Sequence, residues 1–448
     1  MKNSYICTEV MNKTDIKYYS IAVALATASL AGVSCDREED DIWSQSSAER
    51  LEQAQTEDRK ILYSAPNGWQ MLYFCNGQEQ GYNFLMKFDE HGGVMIATRN
   101  PNTRNAYTEE ASMYDVLADD GPVLSFSTYN SLFHRYADPD PEHTQGSDGV
   151  GSAGDYEFNI MTIADTMIYL RGKKSKVDIY MYPLEEGKDW EEYFDDLYAL
   201  RDSMFNPSIP TMWLTLADGS RYSITGASTQ IMNFVPEGGD AITQTTIVPY
   251  VLTETGLRLM SPFPNDSVDG DNVQVFNFNE AGTFLVGDDE TAGGAVATIK
   301  SAPFAELFAD QDITWSIDAD DLGGQFADAY AAVAEGYDDY TPFTLQGVRF
   351  GYNTRVGFHT FSLYSTRMAG AMYCEEIVDG ETGISFTFSG EGDTNGVRLY
   401  DNIPAYGEFM QLLASKKFTL TSDSEINPSR IKFTCQDNEN DYFYVELL

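Results

Sequence analysis

The sequence predicts a mainly β protein of two antiparallel β domains with a few short helices, the N-terminal domain a meander closing into a lipocalin-like barrel. Three observations predict it. From Trp69 onward apolar residues recur every second position, as in "YNFLMKFD", where Tyr82, Phe84, Met86 and Phe88 face one way and Asn83, Lys87 and Asp89 the other. Runs of this kind are short and are separated by Asp/Gly turns such as "DEHGG" and "LADGS". Asn206-Pro207 then divides two sets of such runs, each with its own alternation, which places a domain boundary near residue 207.

The first element is not part of the fold. Lys13 and Lys17 precede an uncharged run from Ile21 to Val33, which has the charged-then-apolar order of a secretory signal and is too short to span a bilayer. The run passes through Gly32, Val33 and Ser34 to Cys35, and this small-residue approach resembles a bacterial lipobox whose cysteine is lipidated after cleavage. Residues 1–34 are therefore expected to be a lipoprotein signal peptide, and residues 35–45 an acidic tether. Met11 is a second candidate start.

Removal of residues 1–34 takes away Lys2, Lys13 and Lys17 with Glu9 and Asp15, which leaves 25 basic against 68 acidic residues. So acidic a surface repels phosphate backbones and anionic headgroups, so nucleic acid is excluded as a partner and the membrane is reached only through a lipid anchor. The chain is nevertheless a folding sequence, because 42% of it is apolar and 13% aromatic.

The N-terminal domain, residues 46–206, opens with a helix in "SQSSAERLEQAQTEDRKILYSA", where Ser46 and Glu49 form a capping box and Leu51, Ala54, Ile61 and Leu62 an apolar stripe. Seven or eight strands follow, through "VMIATR", "ASMYDVLADDG", "PVLSFSTYN", "DYEFNIM", "MIYLRGKK" and "VDIYMYPL", and the helix "DWEEYFDDLYALRDSM" ends the domain. The C-terminal domain, residues 207–448, begins with the hairpin "TMWLTLADGSRYSIT" and carries a helix at "GGQFADAYAAVAEGY". Two echoes link the domains. "KFDEHGGVMIA" is similar to "NFNEAGTFLVG", and the region 156–184 shares its strand spacing with 417–447.

Catalytic motifs are scarce. The four histidines, His91 in a hairpin turn, His134 and His359 in strands and His143 in a loop, show no helical spacing with glutamate of the kind a zinc peptidase needs. No Gly-x-Ser-x-Gly elbow occurs. "GVGSAG" matches a dinucleotide fingerprint but leads into a strand, so it is a flexible loop. Acidic pairs such as Asp195-Asp196 and Asp288-Asp289 suit a glycosidase in principle, yet nothing selects one pair. The loop "NDSVDGDN" offers Asp266, Asp269 and Asp271 as a weak calcium site; no other cofactor is indicated. Cys374 and Cys435, in strand-like segments of an exported chain, are a candidate disulfide, with buried free thiols the alternative.

The segments "ERLEQAQTEDRKILYSAPNGWQMLYF", "GYNFLMKFDEHGGVMIA", "YNSLFHRYADPDP" and "GDYEFNIMTIADTMIYLRGKK" together resemble a family of Bacteroidota lipoproteins, domain of unknown function 4302. The resemblance implies a gene neighbourhood with starch-utilisation-type transporters, and hence a TonB-dependent transporter and associated surface lipoproteins as partners. It also implies that Asp36, Glu38, Glu39, Asp40 and Asp41 are the signal that sends the lipoprotein to the outer face of the outer membrane. The expected function is a surface-anchored, non-enzymatic binding or accessory component of nutrient uptake, with a glycan or peptide as ligand. The alternative is a carboxylate-dependent, glycosidase-like hydrolase on the cell surface.

Overall fold

The alternation that begins at Trp69 builds a closed barrel. In the computed structural model, strands β1 (Trp69–Tyr73), β2 (Tyr82–Phe88), β3 (Gly93–Thr98), β4 (Thr108–Ala118), β5 (Pro122–Phe126), β6 (Glu157–Ile163), β7 (Ile168–Gly172) and β8 (Asp178–Pro183) pair antiparallel in chain order. β8 returns to β1, with Trp69 opposite Pro183. The structure describes residues 46–119, 121–139, 149–209, 212–264, 272–287, 296–309 and 313–448. The signal peptide, the tether, Cys35, the acids Asp36 to Asp41, His143, the calcium candidates Asp266, Asp269 and Asp271, and Asp288-Asp289 lie outside the described residues.

The expected meander is thus an eight-stranded up-and-down barrel, but it is no open cup. Its inward residues Trp69, Tyr73, Phe84, Phe126 and Phe158 are buried, and the β5–β6 connection folds back to add Phe133 and Tyr136 to the same core. The Tyr73 hydroxyl donates to Asp155 O and accepts from Asp155 N. That pair pins the loop after "GVGSAG", where Ser152 is buried and a Cβ on Gly151 would meet Asp138 O at 2.0 Å. The loop is therefore packed, not flexible as its glycines suggest. His134, expected in a strand, lies instead in a 3-10 turn, His134–Tyr136, because this connection turns inward.

Helix α1 (Ser47–Leu62) begins at the expected capping box, with Glu49 N donating to Ser46 Oγ and Ser46 N to Glu49 Oε2. At its other end the Trp69 indole N–H donates to Leu62 O, which ties the last turn to β1. Helix α2 (Trp190–Met204) is capped by Asp189, which accepts from the backbone N–H groups of Glu191 and Glu192.

The region after residue 207, expected as one β-rich domain, contains two further closed barrels of eight strands each. The second runs from β9 (Met212–Thr215) and β10 (Arg221–Thr225) through β12 (Thr246–Thr253) to β16 (Thr298–Ser301), which closes on β9. The third runs from β17 (Trp315–Gly323) to β24 (Tyr442–Leu447), which closes on β17. Alternation marks which face of a strand is buried but not where a sheet closes, so two consecutive barrels read as one strand set.

The first two barrels also share a core. Leu85 and Ala97, on the outside of the first, join Tyr193, Phe194 and Leu197 of α2 and the inward residues of the second in one buried cluster. The split into two domains, each with its own core and meeting at 207, is therefore corrected on both number and separation.

The third barrel differs in carrying helices. α3 (Phe304–Ala309) leads into it, α4 (Gln325–Tyr340) follows β17, and α5 (Thr394–Asn402) with α6 (Pro404–Ser415) joins β21 (Gly383–Gly392) to β22 (Lys417–Thr421). Phe326 of α4 meets Phe409 of α6 and the strand residues Phe418 and Phe443, so these helices complete the core. No helix among the described residues is long and apolar enough to cross a membrane.

Candidate functional site

Three neighbouring strands of the second barrel present one polar outer face. Met212, Leu214 and Ile299 point inward, so the alternate residues Trp213 and Thr215 on β9, Arg221 on β10, and Thr298 and Lys300 on β16 point out. The register sets Lys300 opposite Trp213 and Arg221 opposite Thr215. The third barrel supplies the facing wall through Phe304 at the start of α3, Glu381 in the turn between β20 (Ala369–Asp379) and β21, and Glu425 in the loop before β23 (Arg430–Cys435). Together they enclose a cleft of about 300 Å³.

Backbone hydrogen bonds fix the two walls. Ser301 N donates to Glu425 O at 2.8 Å, and Glu425 N and Ile426 N both donate to Thr283 O. Ile426 is buried in the second barrel's cluster, while Ile209 of the segment before β9 is buried in the third's. Such reciprocal plugs hold the cleft at a set width.

Three of its four charged lining residues, Arg221, Lys300 and Glu425, are paired. Arg221 donates to Glu237 at 2.9 Å and lies 4.4 Å over the Trp213 ring. Lys300 Nζ donates to Glu425 Oε2 at 2.6 Å and sits 3.9 Å over the Phe284 ring, while Thr283 Oγ1 donates to Glu425 Oε1. Glu381 is exposed at the rim. The arrangement offers donors and acceptors side by side along a half-buried indole, without a strong net charge.

A second polar group lies inside the third barrel. Cys374 on β20 is the cross-strand partner of His359 on β19 (Phe358–Tyr364). His359, 3% exposed, bonds through Nε2 to Phe308 O of α3, and the same nitrogen is 3.5 Å from Glu376 Oε2, an atom with no hydrogen-bond partner. Burial lowers the His359 pKa and pushes the Glu376 carboxyl up to about 7 and the Cys374 thiol to about 12. Burial thus favours the neutral forms of all three groups, and the His359 ring nitrogen is engaged by the Phe308 carbonyl.

The residues singled out by sequence fall elsewhere. Cys374 and Cys435 are free and buried, on strands separated by β21 and β22, which corrects the candidate disulfide. Asp195 pairs with Arg99 and Asp196 with Lys188, both on an exposed helix face. His91 lies in the β2–β3 turn, 85% exposed. Among the described residues no group of three His, Cys, Asp or Glu is placed to hold a metal ion. The cleft residues Trp213, Arg221, Lys300, Glu381 and Glu425 were not singled out by sequence. The one signal for them was a tryptophan on the polar side of an alternating hairpin.

No curated protein matches this chain. Among solved structures it is similar to the beta subunit of a DNA polymerase from Streptococcus pyogenes at 10% identity, over 89% of this chain and 97% of that one, with a TM-score of 0.13, a level of likeness on which nothing rests. The model of a family described as a domain of unknown function, DUF4302, matches residues 39–280, which take in the whole first barrel and the strands of the second that carry Trp213 and Arg221. On that match, over more than half of its length, the chain belongs to the DUF4302 family.

Proposed function

We propose that this chain is a non-enzymatic binding protein that holds a glycan in the cleft between its second and third barrels. Its proposed setting is the outer face of an outer membrane, with a lipid on Cys35 as anchor and Asp36, Glu38, Glu39, Asp40 and Asp41 as the sorting signal. There it serves a nutrient-uptake system beside a TonB-dependent transporter and its surface lipoproteins.

The observation that carries the reading is the make-up of the cleft. A sugar presents hydroxyls that both donate and accept, and ring faces of C–H groups. The Lys300–Glu425 and Arg221–Glu237 pairs supply donors beside acceptors, and the Trp213 indole supplies an apolar face. The rigid β-strand platform means little ordering cost on binding.

A carboxylate-dependent hydrolase is the second reading, favoured because Glu381 and Glu425 line the same cleft. Both oxygens of Glu425 are engaged, one by Lys300 and one by Thr283, which suits a structural carboxylate better than a reacting one.

A glycan array probed with the protein and with Trp213→Ala separates the outcomes. Glycans retained by the parent should lose roughly tenfold or more in affinity in the variant. Binding indifferent to Trp213 refutes the cleft as the site. Sustained product release that stops in Glu381→Gln replaces the binding reading with the hydrolase.

A further inference from the structure

The outer face of the third barrel holds a second concavity, unrelated to the cleft. Phe350, Phe361 and Leu363 point into the barrel, so Arg349 and Gly351 on β18 (Gly347–Asn353) and Thr360, Ser362 and Tyr364 on β19 point out. Arg349 is opposite Ser362, and Gly351 opposite Thr360. The middle of the floor is thus small and hydroxylated. Gly351 is required there, since a Cβ would meet Ile313 O at 2.8 Å where the chain entering β17 runs along the floor. The hollow measures about 410 Å³, within the range of small-ligand sites.

Each end of the floor carries an arginine. Arg349 stacks over Tyr364, its Cζ 3.9 Å from the ring centroid, and Arg355 rises from the β18–β19 turn. Both are exposed, and among the described residues neither guanidinium makes an ion pair. Arg59, Arg99, Arg171, Arg201, Arg221 and Arg430 each contact a carboxylate, whereas Arg104, Arg258, Arg367 and Arg398 also lack an ion pair among the described residues; what sets Arg349 and Arg355 apart is that both line one hollow. In a chain with 70 acidic and 28 basic residues, two uncompensated guanidinia lining one hollow mark a local positive site on a negative surface.

We propose that this hollow binds an acidic saccharide. Guanidinium forks match carboxylates in geometry, and the Ser362 hydroxyl and the Tyr364 ring suit a hydroxylated ring lying between them, while the buried Thr360 hydroxyl donates to Gly351 O and leaves only an acceptor. The five residues of β18 from Arg349 to Asn353 span about 13 Å, and Arg355 lies beyond them in the turn, so the ligand that reaches both arginines is a disaccharide or a segment of a longer acidic chain. This site stands on different residues from the cleft and does not depend on the glycan reading given for it.

Calorimetric titration of the full-length protein tests the proposal with three probes: digalacturonate, the neutral disaccharide galactobiose, and sodium sulfate. Digalacturonate should bind, galactobiose should bind roughly tenfold more weakly or worse, and sulfate should compete poorly. Arg349→Gln and Arg355→Gln should each weaken digalacturonate by roughly tenfold. Both positions are exposed, and unchanged melting curves show that the variants fold. Trp213→Ala should leave this binding intact. The proposal is overturned if digalacturonate gives no heat, if the arginine variants bind it as the parent does, or if galactobiose binds equally well. It is overturned too if sulfate competes as strongly as the disaccharide, or if the loss appears in Trp213→Ala instead.

Discussion

Glu376 and His359, packed together behind α3, respond to pH in opposite directions. Burial raises the Glu376 pKa from 4.5 to about 7, so between those values the folded chain keeps a proton that the unfolded chain has released. The stability from this group is complete below pH 4.5 and is lost as pH rises through 7, a span worth about 3 kcal/mol. His359 is lowered by burial, so its contribution is present above the ordinary value of 6.5 and lost as pH falls through its folded value. Glu376→Gln should therefore match the parent near pH 4.5 and exceed it by up to about 3 kcal/mol at pH 8, read from urea unfolding at the two pH values. A parent whose stability holds flat from pH 5 to 8, with the variant no better at pH 8, contradicts the strained carboxyl. Neither residue's situation was legible in sequence. His359 was correctly placed in a strand, but the carbonyl it meets comes from α3, 51 residues earlier.

At the scale of elements, α4 has no cap of its own. It starts after Gly324, which lies at φ +54°, and the cap comes from Asp441 in the β23–β24 turn. Asp441 is 1% exposed and accepts from Gln325 N at 2.9 Å and Gln325 Nε2 at 2.8 Å, across 116 residues of sequence. The hydrogen bond from Gln325 N holds its carboxyl below the usual range, so the stability it gives is present above pH 3.8 and lost as pH falls through the folded value. Asp441→Ala should cost about 1–2 kcal/mol in chemical denaturation, and Asp441→Asn, which keeps an acceptor, should recover most of it. Equal losses in both variants refute the capping role.

Local signals of this molecule were readable where they are self-contained. The capping box Ser46–Glu49, the "DEHGG" turn in which Asp89 accepts from His91 N and Gly93 N, and the "LADGS" hairpin all stand as read. The cap from Asp441 was not readable, because it arrives from a hundred residues away. Helices α5 and α6 were missed although Asp393 caps the first, Pro404 starts the second, and Tyr406, Phe409, Met410 and Leu413 repeat at helical spacing. The glycine-rich run "SGEGDTNG" before them masked the change of period.

At the scale of the molecule, the three barrels recast the sequence echoes. The region 156–184 and the region 417–447 are each the last three strands of a barrel, which accounts for their shared spacing. "KFDEHGGVMIA" and "NFNEAGTFLVG" occupy different places in their barrels, the second hairpin in one and the sixth in the other, so that echo is hairpin chemistry alone.

The barrels also differ in independence. Among the described residues, the third barrel's core draws on one buried residue from outside residues 303–448, Ile209. The first barrel leans on the second through Leu85 and Ala97, through Leu72 and Phe74 against Val251, and through Asn83 Nδ2 donating to Leu252 O. A fragment of residues 303–448 should therefore unfold cooperatively on its own, whereas residues 46–206 should aggregate or melt well below the parent. Cooperative melting of 46–206 at the parent temperature would restore the independent N-terminal domain.

On the proposed function, the cleft between the second and third barrels is where this protein meets its ligand. A crystal of the protein soaked with the strongest glycan from the array locates that ligand. A sugar ring should lie against Trp213, with its hydroxyls bonded to Lys300, Glu425 or Arg221. A glycan seated elsewhere, with the cleft unchanged, contradicts it.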